Sequence, residues 1–290
     1  MKSTRYYIAA LILAIVAFCC TPARNKGLEV DTTMVTDAIK KTKVILYQMQ
    51  FPSEMAKIFE GEDSPYRPEL LNPIENVTKY ITSSQAALNI GAYGVDLSYC
   101  RLFNESQNTL LYISTIRKLS EQVGIPKEEF ISTFRDFENK ISDRDSLARY
   151  INDFYYAADK YLKKNESEFM AVQIVLGGWI EAMHIACSMI NESNAEQLTE
   201  RIAVQKYSLN TLISLLSNYQ DDINVTKYLL RLKVLKKYFD KIEIFYDQGD
   251  LTLDTINKLI ATNQLHLNIP IETVMEIKVI VESIRNEIIN

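Results

Sequence analysis

The chain is predicted to be all-α: an irregular multi-helix bundle or α-array of about ten helices behind an N-terminal signal peptide. Three observations predict this. Glycine and proline are scarce, at 8 and 7 among 290 residues. Apolar residues recur at the helical period in most windows, and strand-like alternation bounded by turns is hard to find. The 47% hydrophobic content supplies ample core and argues against disorder. No fixed-period repeat of the solenoid kind is present.

The first element is a leader. Lys2 and Arg5 form a basic start, and residues 6–18 (YYIAALILAIVAF) are an uncharged apolar run of signal-peptide length. The run is shorter than the roughly 20 residues a membrane-crossing helix needs. Residues 16–20, Val-Ala-Phe-Cys-Cys, resemble a lipobox, which implies that Cys20 becomes the acylated N-terminus of the mature protein. Cys19 stands where such motifs usually carry a small residue; an anchor at Cys19 would put Phe18 there, so Cys20 is the better assignment. An ordinary secretory signal or an uncleaved anchor are the alternatives. On this reading residues 1–19 are the signal peptide, 20–32 a short polar tether and 33–290 a single helical domain. Acyl chains would hold the protein at a membrane, each buried methylene contributing about 0.8 kcal/mol.

The helices follow in order. One is expected over residues 35–49 and a shorter one after Ser53. Residues 61–73 (GEDSPYRPELLNP) hold three prolines and read as a loop. From 74 to 102, the residues Ile74, Val77, Ile81, Ser84, Leu88, Gly91, Val95, Ser98 and Leu102 alternate at spacings of 3 and 4 and form one seam. Ser84, Gly91 and Ser98 recur every seventh residue, which would let a neighbouring helix come close; alternatively Gly91 and Gly94 mark a break. Ser106 or Asn108 caps the next helix, which stops at Gly124 before Pro126. Asp143 or Asp145 opens a helix through Lys164. Ser167 caps one running to about Ile190 that is apolar around most of its circumference and belongs at the centre. Helices over 194–217, 224–246 and 252–263 are expected next, with a turn at Gly249-Asp250, and Pro270 starts the last.

Composition excludes some functions. The formal charge is −5, and the body is more acidic still once Lys2 and Arg5 leave with the signal. Such a body argues against nucleic acid and against adhesion to anionic lipid by charge. Cys100 and Cys187 alone remain in the mature domain, too few for a disulfide-stapled scaffold. Five Asn-x-Ser/Thr triplets, beginning at Asn76, Asn104, Asn165, Asn191 and Asn224, fall mostly within or beside helices and are read as chance.

Chemistry has few candidates. The central helix carries one polar stripe, Gln173, Gly177, Glu181, His184 and Ser188. It is read as a thin solvent-facing edge, a buried network fixing helix register, or a ligand pocket. Glu181 and His184 have the Glu-x-x-His spacing of di-iron bundles, but the chain has only two histidines, and His266 lacks a matching carboxylate, so no metal is assigned. Asp96 and Cys100 on one helix would meet His184 and Cys187 on another if those helices touch; buried thiols, a disulfide, a thiol site or a metal site are the readings. The abundant tyrosines are packing residues or the lining of a groove. Phosphate-loop, nucleophile-elbow and His-Glu-x-x-His motifs are absent from the sequence, and no catalytic residue or cofactor is assigned.

Residues 89–99 (NIGAYGVDLSY), 112–126 (YISTIRKLSEQVGIP) and 175–186 (VLGGWIEAMHIA) together resemble a family of uncharacterised helical lipoproteins of Bacteroidota. The resemblance runs over most of the mature chain and implies address and fold without a reaction. It makes Gly91, Tyr93, Asp96, Gly177, Trp179 and Glu181 recurring positions, with an aromatic residue at the place His184 holds here. Three functions follow as expectations: a non-enzymatic envelope module that holds another envelope protein; a small-ligand binder with an inter-helix pocket at Tyr93, Asp96, Trp179, Glu181 and His184; or an enzyme using His184.

Overall fold

Among the described residues, the two most buried helices are pressed together at glycines, and other helices pack around them. A computed structural model of the chain describes residues 55–61, 64–128, 144–246, 251–254, 259–262 and 265–290, for residues 144–145, 245–268 and 271 as backbone only. All of them belong to one unit, Lys43–Asn290. The expected signal peptide, the Cys20 anchor, the tether, the helix over 35–49 and the Gly249-Asp250 turn lie outside the described residues.

The described residues are mostly helical. Seven α-helices are found among them: α1 (Ser83–Leu102), α2 (Ser106–Gln122), α3 (Arg144–Lys164), α4 (Glu168–Met189), α5 (Ala195–Leu216), α6 (Ile223–Phe239) and α7 (Ile271–Ile289). Short 3-10 turns cover Pro68–Leu70, Ile74–Lys79 and Ser217–Tyr219. The seam expected to run unbroken from residue 74 starts instead at Ser83. Thr82 caps α1 through a reciprocal capping box with Gln85, worth about 1 kcal/mol. Ile81, placed on the seam by periodicity, is exposed. Gly91 and Gly94 do not break the helix.

Three helices end alike. Beyond α1, α2 and α3 the chain passes through Asn104, Gly124 and Glu166 at positive φ. The next amide in each case reaches back to a carbonyl in the last turn: Glu105 to Cys100, Ile125 to Ser120 and Ser167 to Leu162. These closures satisfy carbonyls that the helix itself leaves unpaired.

The segment after α6 corrects two expectations. Helix α6 stops at Phe239 rather than continuing to Tyr246, and residues 252–254 and 259–262, expected in a helix, are strand. Strands β1 (Glu243–Tyr246) and β4 (Leu265–Asn268) pair antiparallel, Glu243 opposite Asn268. Strands β2 (Leu251–Asp254) and β3 (Leu259–Thr262) pair inside them, Leu251 opposite Thr262. Period-two alternation is present in Ile242, Ile244 and Tyr246 and in Leu265, Leu267 and Ile269, and backbone pairing across the ribbon prevails over helix propensity.

Helix α1 is buried without interruption from Ala86 to Cys100, and α4 from Ala171 to Met183. Helix α4 is long and apolar enough to cross a membrane by length and composition, yet most of it is buried inside the protein. It packs against α1, α3, α5 and α7, while α1 also meets α2, α3 and α7. A Cβ on Gly91 would stand 1.9 Å from the Ile174 carbonyl oxygen, and one on Gly177 would stand 1.8 Å from that of Leu88. Backbone therefore rests on backbone, and no side chain can move aside to relieve an added methyl. Gly91→Ala and Gly177→Ala should each destabilise by about 3 kcal/mol or more, despite the roughly 1 kcal/mol an alanine gains in a free helix. Gly124→Ala, which meets open space, should lose only the roughly 1–2 kcal/mol of a strained positive φ. Urea unfolding midpoints of the three variants check the contrast.

Candidate functional site

The loop that links residues 66 to 82 passes through the core. Leu70, Leu71 and Asn72 are buried, so every polar group they carry must find a partner inside. Arg285 on α7 donates to the Leu70 carbonyl at 2.9 Å. The Asn72 amide donates to Asp96 Oδ2 at 3.2 Å, and the Asn72 carbonyl accepts from Tyr112 Oη at 3.1 Å. The Asn72 side chain bonds Tyr80 and Asn89. Tyr93 Oη donates to the Pro73 carbonyl at 2.9 Å. At one end of this strap Arg67 donates to the Ser188 carbonyl at the end of α4. At the other, Tyr80 and Asn89 take up the Ile289 and Ile288 carbonyls at the end of α7. Helix termini are thus capped by side chains from distant sequence.

Beneath the strap sits an ionic cluster. Arg285 forks onto Glu181, Nε to Oε2 at 2.8 Å and Nη2 to Oε1 at 2.7 Å, with the Glu181 residue 1% exposed. Burial works against the Arg285 charge, but the paired Glu181 carboxylate overcomes this and holds the guanidinium protonated. Asp96 is fully buried, and its Oδ1 meets no hydrogen-bond donor. Burial, and next the Glu181 carboxyl within hydrogen-bond reach, push the Asp96 carboxyl well above the usual range. His184 lies beside the cluster, with its Nδ1 buried and without a hydrogen-bond partner; burial lowers it to about 4, leaving a neutral ring at neutral pH. Burial likewise raises the tyrosine hydroxyls of Tyr80, Tyr93 and Tyr112.

The stripe Gln173, Gly177, Glu181 on α4 thus faces inward: Gln173 Nε2 donates to Ser84 Oγ at 2.8 Å, Gly177 meets Leu88, and Glu181 takes Arg285. Of the five candidate pocket residues, Tyr93, Asp96, Glu181 and His184 are gathered around residues 70–73. Trp179 points elsewhere: its indole donates to Gln205 on α5 at 3.3 Å and its ring packs on Phe239 of α6. Glu181 is ion-paired, so the two free carboxylates an inter-helix pocket would use are not both available.

The cysteines do not join the cluster. Both are free and buried. Cys100 Sγ lies 3.7 Å from Tyr66 Oη, whereas Cys187 senses Lys278 and Glu282 of α7. Burial raises each thiol to about 12, so neither is a ready nucleophile. Among the described residues no group of three or more His, Cys, Asp or Glu is placed to hold a metal ion. A separate cleft of about 500 Å³ opens between the end of α3 and the start of α6. Its walls carry Glu166, Glu168, Asp221 and Asp222 together with Lys163, Phe169 and Tyr219.

Arg285, Asn72 and Asn89 are central to the cluster and were not singled out in the sequence. The available signal for Arg285 was one charge beside the apolar stripe Ile277, Val281, Ile284, Ile288 of the last helix. The resemblance singled out Asp96 and Glu181, but not the cation between them. Searches against protein-family models, curated proteins and solved structures give no match.

Removing one partner of a buried pair strands the other. Arg285→Met should cost about 3–5 kcal/mol by leaving Glu181 unpaired, whereas Arg285→Met with Glu181→Leu should recover most of that loss. Equilibrium unfolding of the two single variants and the double variant measures the coupling.

Proposed function

We propose that the chain is a lipid-anchored cell-envelope protein, held by Cys20 on a bacterial membrane, with the outer membrane the favoured address, and that its helical body is a non-enzymatic binding or assembly module. The leader, the Val-Ala-Phe-Cys-Cys motif and the resemblance to helical lipoproteins of Bacteroidota support the address. Membership of that family and a total of about ten helices belong to the same reading.

The observation that carries the module reading is the state of the ionisable interior. Arg285, Glu181, Asp96 and His184 are turned toward one another and toward the strap. Arg285 and Asp96 hold strap backbone in place and Glu181 holds Arg285, which is structural work, and the arrangement supplies neither a free nucleophile nor a paired acid and base facing solvent. The surface is the part left for a partner. Helices α6 and α7 run antiparallel, tied by Lys227 to Glu287 and Lys241 to Glu276. They expose Leu230, Val234, Met275 and Val279, each more than 40% accessible. Exposed apolar side chains interleaved with charges suit a protein partner better than nucleic acid.

The anchor is tested by the intact mass of protein extracted from membranes, for the wild type and Cys20→Ala. The expected mass corresponds to cleavage before Cys20 plus diacylglyceryl and acyl groups, and the variant loses both the lipid and membrane attachment. A cleaved but unlipidated chain, or an intact leader, contradicts the assignment.

A further inference from the structure

The ionic cluster under the strap has more acid than base. Two carboxyls, Asp96 and Glu181, face one guanidinium, and Arg285 turns its fork on Glu181 and a further N–H on the Leu70 carbonyl. Asp96 receives only the Asn72 amide, on Oδ2. Its Oδ1 is buried without a donor, and the Glu181 carboxyl lies within hydrogen-bond reach. An ionised Asp96 here would add an unpaired buried charge beside a like charge, the costliest arrangement a core can hold. A proton on Asp96 removes that charge and supplies the missing donor.

We propose that Asp96 is carried in the folded protein as the neutral acid, donating its proton to the Glu181 carboxylate, and that this proton is a pH-sensitive lock on the strap that crosses the core.

Every element packed around Asp96 brings an ionisable group toward it. Glu181 and His184 face from α4, Arg285 from α7, Tyr80 from the strap, Tyr93 and Cys100 from α1, Tyr112 from α2 and Tyr155 from α3. Burial raises the tyrosines from an ordinary value of 10.0 and the thiol from 9.0, so these groups act only in alkaline solution. In the acid-to-neutral range the shifted groups of the cluster are His184 and Asp96, and they oppose each other. His184 is held below its ordinary 6.5, at about 4, so its contribution is present above 6.5 and is lost as pH falls. The raised Asp96 contributes fully below 3.8, and that contribution is lost as pH rises. Between about 4 and 6.5 the folded state binds one proton more at Asp96 and one fewer at His184, and the two slopes cancel. Above 6.5 Asp96 is the shifted group of the cluster that acts, and the unfolding constant should climb with pH while Asp96 keeps its proton, at most about tenfold per pH unit.

The test is equilibrium unfolding of the full chain between pH 6.5 and 8, for the wild type and Asp96→Asn. Asparagine keeps an acceptor for the Asn72 amide and a donor for Glu181 but cannot ionise. The expected result is a wild-type unfolding constant rising severalfold over the interval, with about thirtyfold as the ceiling for one proton, and a flat profile for the variant. A wild-type profile as flat as the variant's overturns the proposal. Should Asp96→Asn fail to fold, infrared spectra of wild-type protein with ¹³C-labelled aspartate decide at pH 7. A label-shifted carboxylic-acid band supports the proposal, and labelled aspartate absorbing only as carboxylate overturns it.

Discussion

The contact of α1 with α4 at Gly91 and Gly177 sets the terms for everything around it. Two helices whose backbones touch bring their own polar groups close, and each must then be buried on the remaining sides by other elements. This is why α1 and α4 are buried around their whole circumference while α5 and α6, packed at the periphery, keep one solvent face. Close approach also removes tolerance: with a carbonyl oxygen where a methyl would sit, register cannot slip by one residue without a clash.

Polar residues in such a core have to be satisfied locally or left at a cost. Here they serve a loop. The strap brings peptide groups into the interior, and Asn72 alone engages Asp96, Tyr112, Tyr80 and Asn89. Arg285 joins α7 to both α4 and the strap, which couples the C-terminal helix to a segment more than 200 residues earlier. A hydrophobic replacement of this network would be as stable or more so in principle, but it would not specify where the strap lies. The cluster is best understood as fixing one arrangement among several that an apolar core would permit.

Much of this was legible in the sequence, and the failures have physical reasons. The central position of α4 followed from its apolar circumference, and the stop at Gly124 from the residues themselves. The seam Ser84, Gly91, Ser98 announced a close neighbour without naming it. Helix α1 was harder: spacing alone does not say whether Asn89, Tyr93 and Asp96 face solvent or a neighbour, and only tertiary structure shows them bonded inside. The Gln173–Glu181 stripe was ambiguous for the same reason, since a buried network and an exposed edge have the same spacing. The ribbon after α6 was missed because four-residue strands leave a short alternating signal that a helical window absorbs. Asn72 sits in a proline-rich loop, and nothing local distinguishes a loop over the surface from one through the core.

The account makes α1 and α4 the last elements to open, because their contact underlies the packing of the rest. Native-state hydrogen exchange measures this directly. The slowest amides should lie within 86–100 and 171–187, and they should exchange only by global unfolding, with the denaturant dependence of the equilibrium transition. If those amides instead exchange through local openings while α5, α6 or α7 stays protected, the glycine contact is not the foundation of the fold.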